Sequence, residues 1–290
     1  MDFALSTHLF HGERLSRRHL EAIRGAGFTD IEIFATRTHV NYADEREVEA
    51  IASLTGDLGL IVGSMHAPIC DAFSGGQWGR AFSNASGNTD RRQEAVAETT
   101  RALHACRALG CGILVLHLGL PQGQTIPPGD NDRRAAQRSL EQIAEAAAGL
   151  DVDLALEVIP NDLSKPDDLI EWLDGDLELG QAGVCLDFGH AHLMDGAPEA
   201  VESLAGHVIT THVHDNRGQK DDHLVPFAGT IDWTATLAAM WKIGYTGRLV
   251  FEVADAGDAA AVLQRTVAAR ARLQGILKEL SEPFEFKFEV

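Results

Sequence analysis

The chain has 290 residues, 45% of them hydrophobic, with 43 acidic against 24 basic side chains and a formal net charge of −19. That length suits one α/β barrel of roughly 250 residues with extensions, and so acidic a surface repels phosphate backbones, which argues against nucleic acid as a partner. No apolar run approaches the roughly 20 residues that cross a bilayer, no signal-peptide pattern opens the chain, and Cys70, Cys106, Cys111 and Cys185 form no CxxC pair, so the expectation is a soluble cytoplasmic protein with reduced thiols.

In chain order, eight short apolar runs read as strands buried on both faces: FALST (3–7), IEIF (31–34), LIVGSMH (60–66), GILVLHLG (112–119), VDLALEV (152–158), AGVCLDF (182–188), VITTHVH (208–214) and RLVFEV (248–253). Amphipathic stretches between them read as helices. One over 16–24 ends at Gly25 and Gly27, and one from Thr89 to Leu109 stops at Gly110. Ser164 and Pro166 suit the cap and first turn of a helix over DDLIEWL, and Asp232 precedes WTATLAAMWKIG, which closes at Gly244.

Eight strands alternating with helices, and no Gly-rich fingerprint after the first strand, predict one (β/α)₈ TIM barrel over residues 1–280 rather than a doubly wound sheet. In the tail 281–290, Phe284, Phe286, Phe288 and Val290 alternate with charged residues. Such a pattern suits a short strand, an arm docking on a partner copy, or a tail lying on its own barrel. Homo-oligomer formation is therefore an open expectation.

Ionisable residues recur at the downstream ends of the apolar runs: His66, His117, Glu157, Asp187 with His190, His212 with His214, and Glu252. In a barrel those ends converge on one face. Asp221 and His223 follow in the loop after the seventh strand. A lone histidine at such a place serves its own loop about as often as it binds a ligand, but carboxylates ending apolar strands are seldom core filler. Asp187 could cap a helix, although Phe-Gly-His does not read as a first helical turn. His212 is preferred as a ligand over His214, which is read as facing the other side of its strand. Glu157, Asp187 and Glu252 cannot converge unpaired, and a divalent cation resolves their repulsion. The mixture of oxygen and nitrogen donors suits Zn²⁺, Mn²⁺, Mg²⁺ or Co²⁺, and the many imidazoles weigh toward Zn²⁺ or Mn²⁺.

The stretches CLDFGHAHL, THVHDNRGQKDDHLVPFAGTIDW and VFEV carry a D-x-x-H pair, an H-x-x-D pair and a D-x-H before G-x-I-D-W. Through them nearly the whole chain resembles the xylose-isomerase-like barrel superfamily, which includes sugar (phosphate) isomerases and epimerases and endonuclease-IV-type repair enzymes. Likeness to the epimerase branch implies a metal on Glu157, Asp187, His212 and Glu252, with the two glutamates exchanging the substrate proton and His190 contacting substrate. Likeness to the endonuclease branch implies up to three metals on those four together with His66, His117, His190, Asp221 and His223. The LEVIPNDLSKP stretch departs from the Gly-rich loop expected of that branch.

The leading expectation is a divalent-metal sugar or sugar-phosphate isomerase or epimerase, with a carbohydrate substrate and Asn216, Arg217 and Trp233 contributing to the pocket. The alternatives are a multinuclear phosphodiester hydrolase and a sugar-binding barrel without turnover, which would not need two opposed bases.

Overall fold

The computed structural model describes residues 1–121, 129–175 and 177–282. Eight parallel strands close into a barrel. They are β1 (Asp2–Ser6), β2 (Asp30–Phe34), β3 (Ile61–His66), β4 (Ile113–Leu116), β5 (Asp153–Glu157), β6 (Ala182–Asp187), β7 (Val208–Val213) and β8 (Arg248–Phe251). Each pairs with its neighbour in sequence, and β1 with β8 completes the ring. Nine helices lie among the described residues: α1 (Arg17–Gly25), α2 (Glu45–Asp57), α3 (Thr89–Ala108), α4 (Arg133–Leu150), α5 (Pro166–Leu173), α6 (Phe188–His192), α7 (Ala197–Ser203), α8 (Trp233–Lys242) and α9 (Ala259–Ser281). The tail expectation falls, from residue 283 on, outside the described residues.

The period of two along a strand sorts the core into two parts. Leu114, Leu116, Leu154, Leu156, Val184 and Leu186 belong to the large cluster shared with the helices, while the intervening Val115, Ala155 and Cys185 form a small cluster of their own. Continuing that inner row by two residues reaches His117, Glu157 and Asp187. Two register shifts, at Ile31/Glu32 between β2 and β3 and at Val184/Cys185 between β6 and β7, re-aim side chains locally. After the second, Asp187 stands directly opposite His212.

The helix ends follow local chemistry. Ser16 and His19 form a capping box at α1, and Gly27 ends that turn at φ +80°. Lys165, not Ser164, occupies the cap position of α5, and the Ser164 hydroxyl is buried without a hydrogen bond. Cys106 and Cys111 are joined as a disulfide around the Gly110 turn, which corrects the expectation of four reduced thiols. Among the described residues, no helix is long and apolar enough to cross a membrane.

Candidate metal and active site

Glu157, at the end of β5, is the hub of the site and is buried. Its Oε2 lies 3.1 Å from His66 Nε2 and 2.8 Å from His117 Nε2, and its Oε1 lies 3.1 Å from His212 Nδ1. His212 Nδ1 also faces Glu252 Oε2 at 3.5 Å and Asp187 Oδ2 at 3.7 Å. Glu157, Asp187, His212 and Glu252 can thus each offer one ligand atom within 4.8 Å of the others. His66, His117 and Glu157 form a second such group, and His190, His214, Asp221 and His223 a third.

Proton bookkeeping tests whether these donors suit a metal. His66, His190 and His223 each direct Nδ1 at a backbone carbonyl, those of Ala67 at 2.7 Å, Val158 at 3.0 Å and Glu252 at 2.8 Å. A carbonyl only accepts, so Nδ1 carries the proton in each ring and a neutral ring presents a lone pair at Nε2. Those three Nε2 atoms face carboxylate oxygens, His66 on Glu157 and His190 and His223 on Asp221 at 3.2 and 2.9 Å. His117 Nε2 likewise lies against Glu157 without hydrogen-bond geometry. A neutral ring would set acceptor against acceptor, a repulsion relieved by a proton on Nε2 or by a metal ion between the two, and histidines oriented by a carbonyl on the far nitrogen are the usual form of a metal site. The residues fit a divalent ion.

A family described as xylose isomerase-like TIM barrel matches residues 20–274. The chain belongs to this family. It is 28% identical over 254 residues, 81% of its length and 80% of the other's, to uncharacterized protein y4fM of Sinorhizobium fredii. Among solved structures, a D-tagatose 3-epimerase-like protein superposes with a TM-score of 0.78 at 24% identity, covering 97% of this chain and 98% of that one. L-ribulose 3-epimerase gives 0.76 at 19% identity over 97% and 96%, and IOLI protein with a binding zinc atom gives 0.73 at 17% over 98% and 100%. These similarities are ones of fold.

In this xylose isomerase-like barrel, the fields of the clustered groups dominate their titration. Burial pushes Glu157 up, but the imidazoles of His117 and His212 outweigh it and hold the carboxyl well below its ordinary range. Asp221 is held low in the same way by His223 and His190. Burial pulls His190 down, yet Asp187 and Asp221 raise it well above its usual value. Burial also lowers His223, but Asp221 and Glu252 push it up to about 10. Without a metal, these rings hold the protons that a metal would displace.

Above the cluster lies a cavity of about 480 Å³. His66, His117, Glu157, His190, Asp221, His223 and Glu252 line its polar side, while Asp187 and His212 are buried beneath. The expected Asn216, Arg217 and Trp233 do not line it. Asn216 donates Nδ2–H to the Gly189 carbonyl, Trp233 donates Nε1–H to Asp215, and Arg217 is exposed. The first two hold the loop after β7 in shape, and their polar groups are used up in doing so.

Three further corrections concern residues near the cluster. His214 lies two residues beyond His212, and a period of two puts both on the same face; it is buried with Nε2 2.9 Å from Asp187 Oδ2. Asp187 does cap a helix, since its Oδ1 accepts the His190 N–H at 2.7 Å while Oδ2 faces His214 and His212. Glu32 on β2, outside the set expected from the sequence, is buried against His212, and a carboxylate inside the apolar run IEIF carries the same signal as Glu157 and Glu252. The cavity also takes His8, His11, Phe34 and Trp78 from elements with no ligand-like motif.

Proposed function

We propose that this protein is a divalent-metal-dependent sugar isomerase or epimerase that moves a proton on a carbon beside a carbonyl. The observation that carries the reading is the convergence of Glu157 and Glu252 with Asp187 and His212 under a cavity of monosaccharide scale or larger. The sugar epimerases among its structural neighbours support it. A divalent ion held by these four residues, Zn²⁺ or Mn²⁺ by their imidazole-rich surroundings, would polarise the substrate oxygens and acidify the adjacent C–H. One glutamate would take the proton and the other return it, to the opposite face or the neighbouring carbon. His190, at the cavity edge, would orient hydroxyls.

A second reading rests on Glu157 itself. Its two oxygens face different partners, Oε2 the His66 and His117 rings and Oε1 His212, as a carboxylate bridging two ions would. With the group around Asp221, that arrangement would suit a bi- or trinuclear hydrolase acting on a phosphodiester or other ester.

Metal content per chain, measured for the protein and for Glu157→Gln and His223→Ala, separates the two when paired with solvent-deuterium uptake into a sugar panel. About one ion, lost in the first variant and kept in the second, with deuterium uptake, is the result expected of the isomerase. Two or three ions, one of them lost with His223, and no uptake would establish the hydrolase site instead. No metal after reconstitution overturns both.

A further inference from the structure

We infer that the cavity takes an unphosphorylated sugar, with the apolar C–H face of its ring on Trp78 and its hydroxyl edge toward the carboxylate and imidazole cluster. This rests on the sugar-converting reading above and narrows its substrate class.

Charge is the first argument. Glu157, Asp221, Asp222 and Glu252 line the cavity, and among the described residues no lysine or arginine does. A phosphate dianion is recognised by guanidinium or ammonium groups, or by free backbone N–H groups at a helix start. Helix α6, which begins at Phe188 beside the site, has its first turn capped by Asp187, so a carboxylate already stands where an anion would. Once a metal occupies the carboxylates and imidazoles, a phosphorylated substrate would find no guanidinium or ammonium group among the described lining residues to hold its phosphate.

Aromatic residues line the same cavity. A two-stranded hairpin, Phe73–Ser74 with Gln77–Trp78, turns through Gly75 and Gly76, both at positive φ. It brings Trp78 over the cavity. The indole stacks on His11 with ring centroids 4.8 Å apart at 12°, and the Phe73 ring meets it edge-on at 4.6 Å. One face is thereby covered, yet 42% of Trp78 stays exposed, and it is one of the few large apolar side chains left so. A partly exposed aromatic ring in the lining of a cavity that also holds carboxylates and imidazoles matches a neutral sugar, which has one apolar C–H face and a rim of hydroxyls.

Calorimetric titration of the metal-loaded protein with D-tagatose, D-fructose and their 6-phosphates tests the inference. The expected result is binding of at least one free ketohexose and tenfold or more weaker binding of its 6-phosphate. Trp78→Ala should weaken the free sugar by about fivefold to tenfold, and Trp78→Phe should restore most of that loss. A 6-phosphate that binds as well as or better than the free sugar overturns the inference. So does an unchanged affinity in Trp78→Ala, or a failure of both free sugars to bind. Selective binding of a free sugar with no deuterium uptake would sustain the subsite and overturn only the isomerase reading.

Discussion

Glu32 on β2 and His212 on β7, 180 residues apart in sequence, meet inside the barrel with Oε2 3.2 Å from Nε2, and both side chains are wholly inaccessible to solvent. Ser64 on the neighbouring strand donates its hydroxyl to the same Glu32 oxygen at 2.9 Å. The contact gives His212 Nε2–H an acceptor and leaves Nδ1 as the nitrogen facing Glu157, Asp187 and Glu252. A carboxylate behind a histidine is the arrangement that fixes the tautomer of a metal ligand and raises its basicity.

Replacing Glu32 should therefore weaken metal binding without touching a ligand. Glu32→Ala and Glu32→Gln are expected to lower affinity by about tenfold to a hundredfold, the second less than the first. Competition against a chelator of known affinity reads this directly, and wild-type affinity in both variants would show that His212 needs no partner.

Asp215 holds the loop that carries Asp221 and His223. Its carboxylate accepts the N–H groups of Asn216 at 2.9 Å, Phe227 at 2.9 Å and Ile231 at 3.2 Å, and the Trp233 indole at 3.0 Å. Asp215→Ala leaves several buried donors unpaired and should cost about 3 kcal/mol or more in urea unfolding. Trp233→Phe should cost less, because it removes only one of those donors. Equal losses in the two variants would contradict the anchoring role.

Gly189 is set by space rather than by its backbone angle. A Cβ built there would overlap the His214 ring, which is held between Asp187 and a His223 ring stacked 4.0 Å away. Gly189→Ala should lower stability by about 1 to 3 kcal/mol. Thermal unfolding at the wild-type temperature would show that His214 can move aside freely.

His39 makes stability depend on pH outside the site. Its ring is fully buried, with Nδ1 on the Glu13 carbonyl and Nε2 without a hydrogen-bond partner. Burial drives it from 6.5 down to about 4, against the smaller upward pull of the Glu13 carbonyl. The unfolded chain therefore binds a proton that the folded chain refuses between those values. The contribution is intact above pH 6.5 and is lost as pH falls toward 4, reaching about 3 kcal/mol. Urea unfolding of His39→Gln beside wild type should show the two curves converging as pH drops from 7 to 4.5; parallel curves would refute it.

The barrel and the convergence of its strand-end ionisable residues were legible in the sequence because both follow from a period of two. Apolar runs whose starts lie 26 to 52 residues apart leave room for a helical crossover between parallel strands, and an ionisable residue at the end of such a run lies where a barrel gathers its side chains. That rule gathers Glu157, Asp187, His212 and Glu252 together with His66, His117 and His190, and it is the family resemblance that groups the four as one set. The same period of two puts His214 on the face of His212.

Tertiary structure decided the rest, since each remaining feature depends on contacts between distant strands. Glu32 matters only because two register shifts and the closure of the ring bring β2 and β7 face to face at that depth. The double duty of Asp187 requires knowing that a five-residue helix starts at Phe188. Asn216 and Trp233, placed by the sequence beside the pocket, turn instead to Gly189 and Asp215. Trp78 is an aromatic residue near a turn until the hairpin brings it into the lining of the cavity that also holds Glu157. Local sequence sets which way each side chain leaves its own strand, whereas the partner it meets is set by packing between elements far apart in the chain.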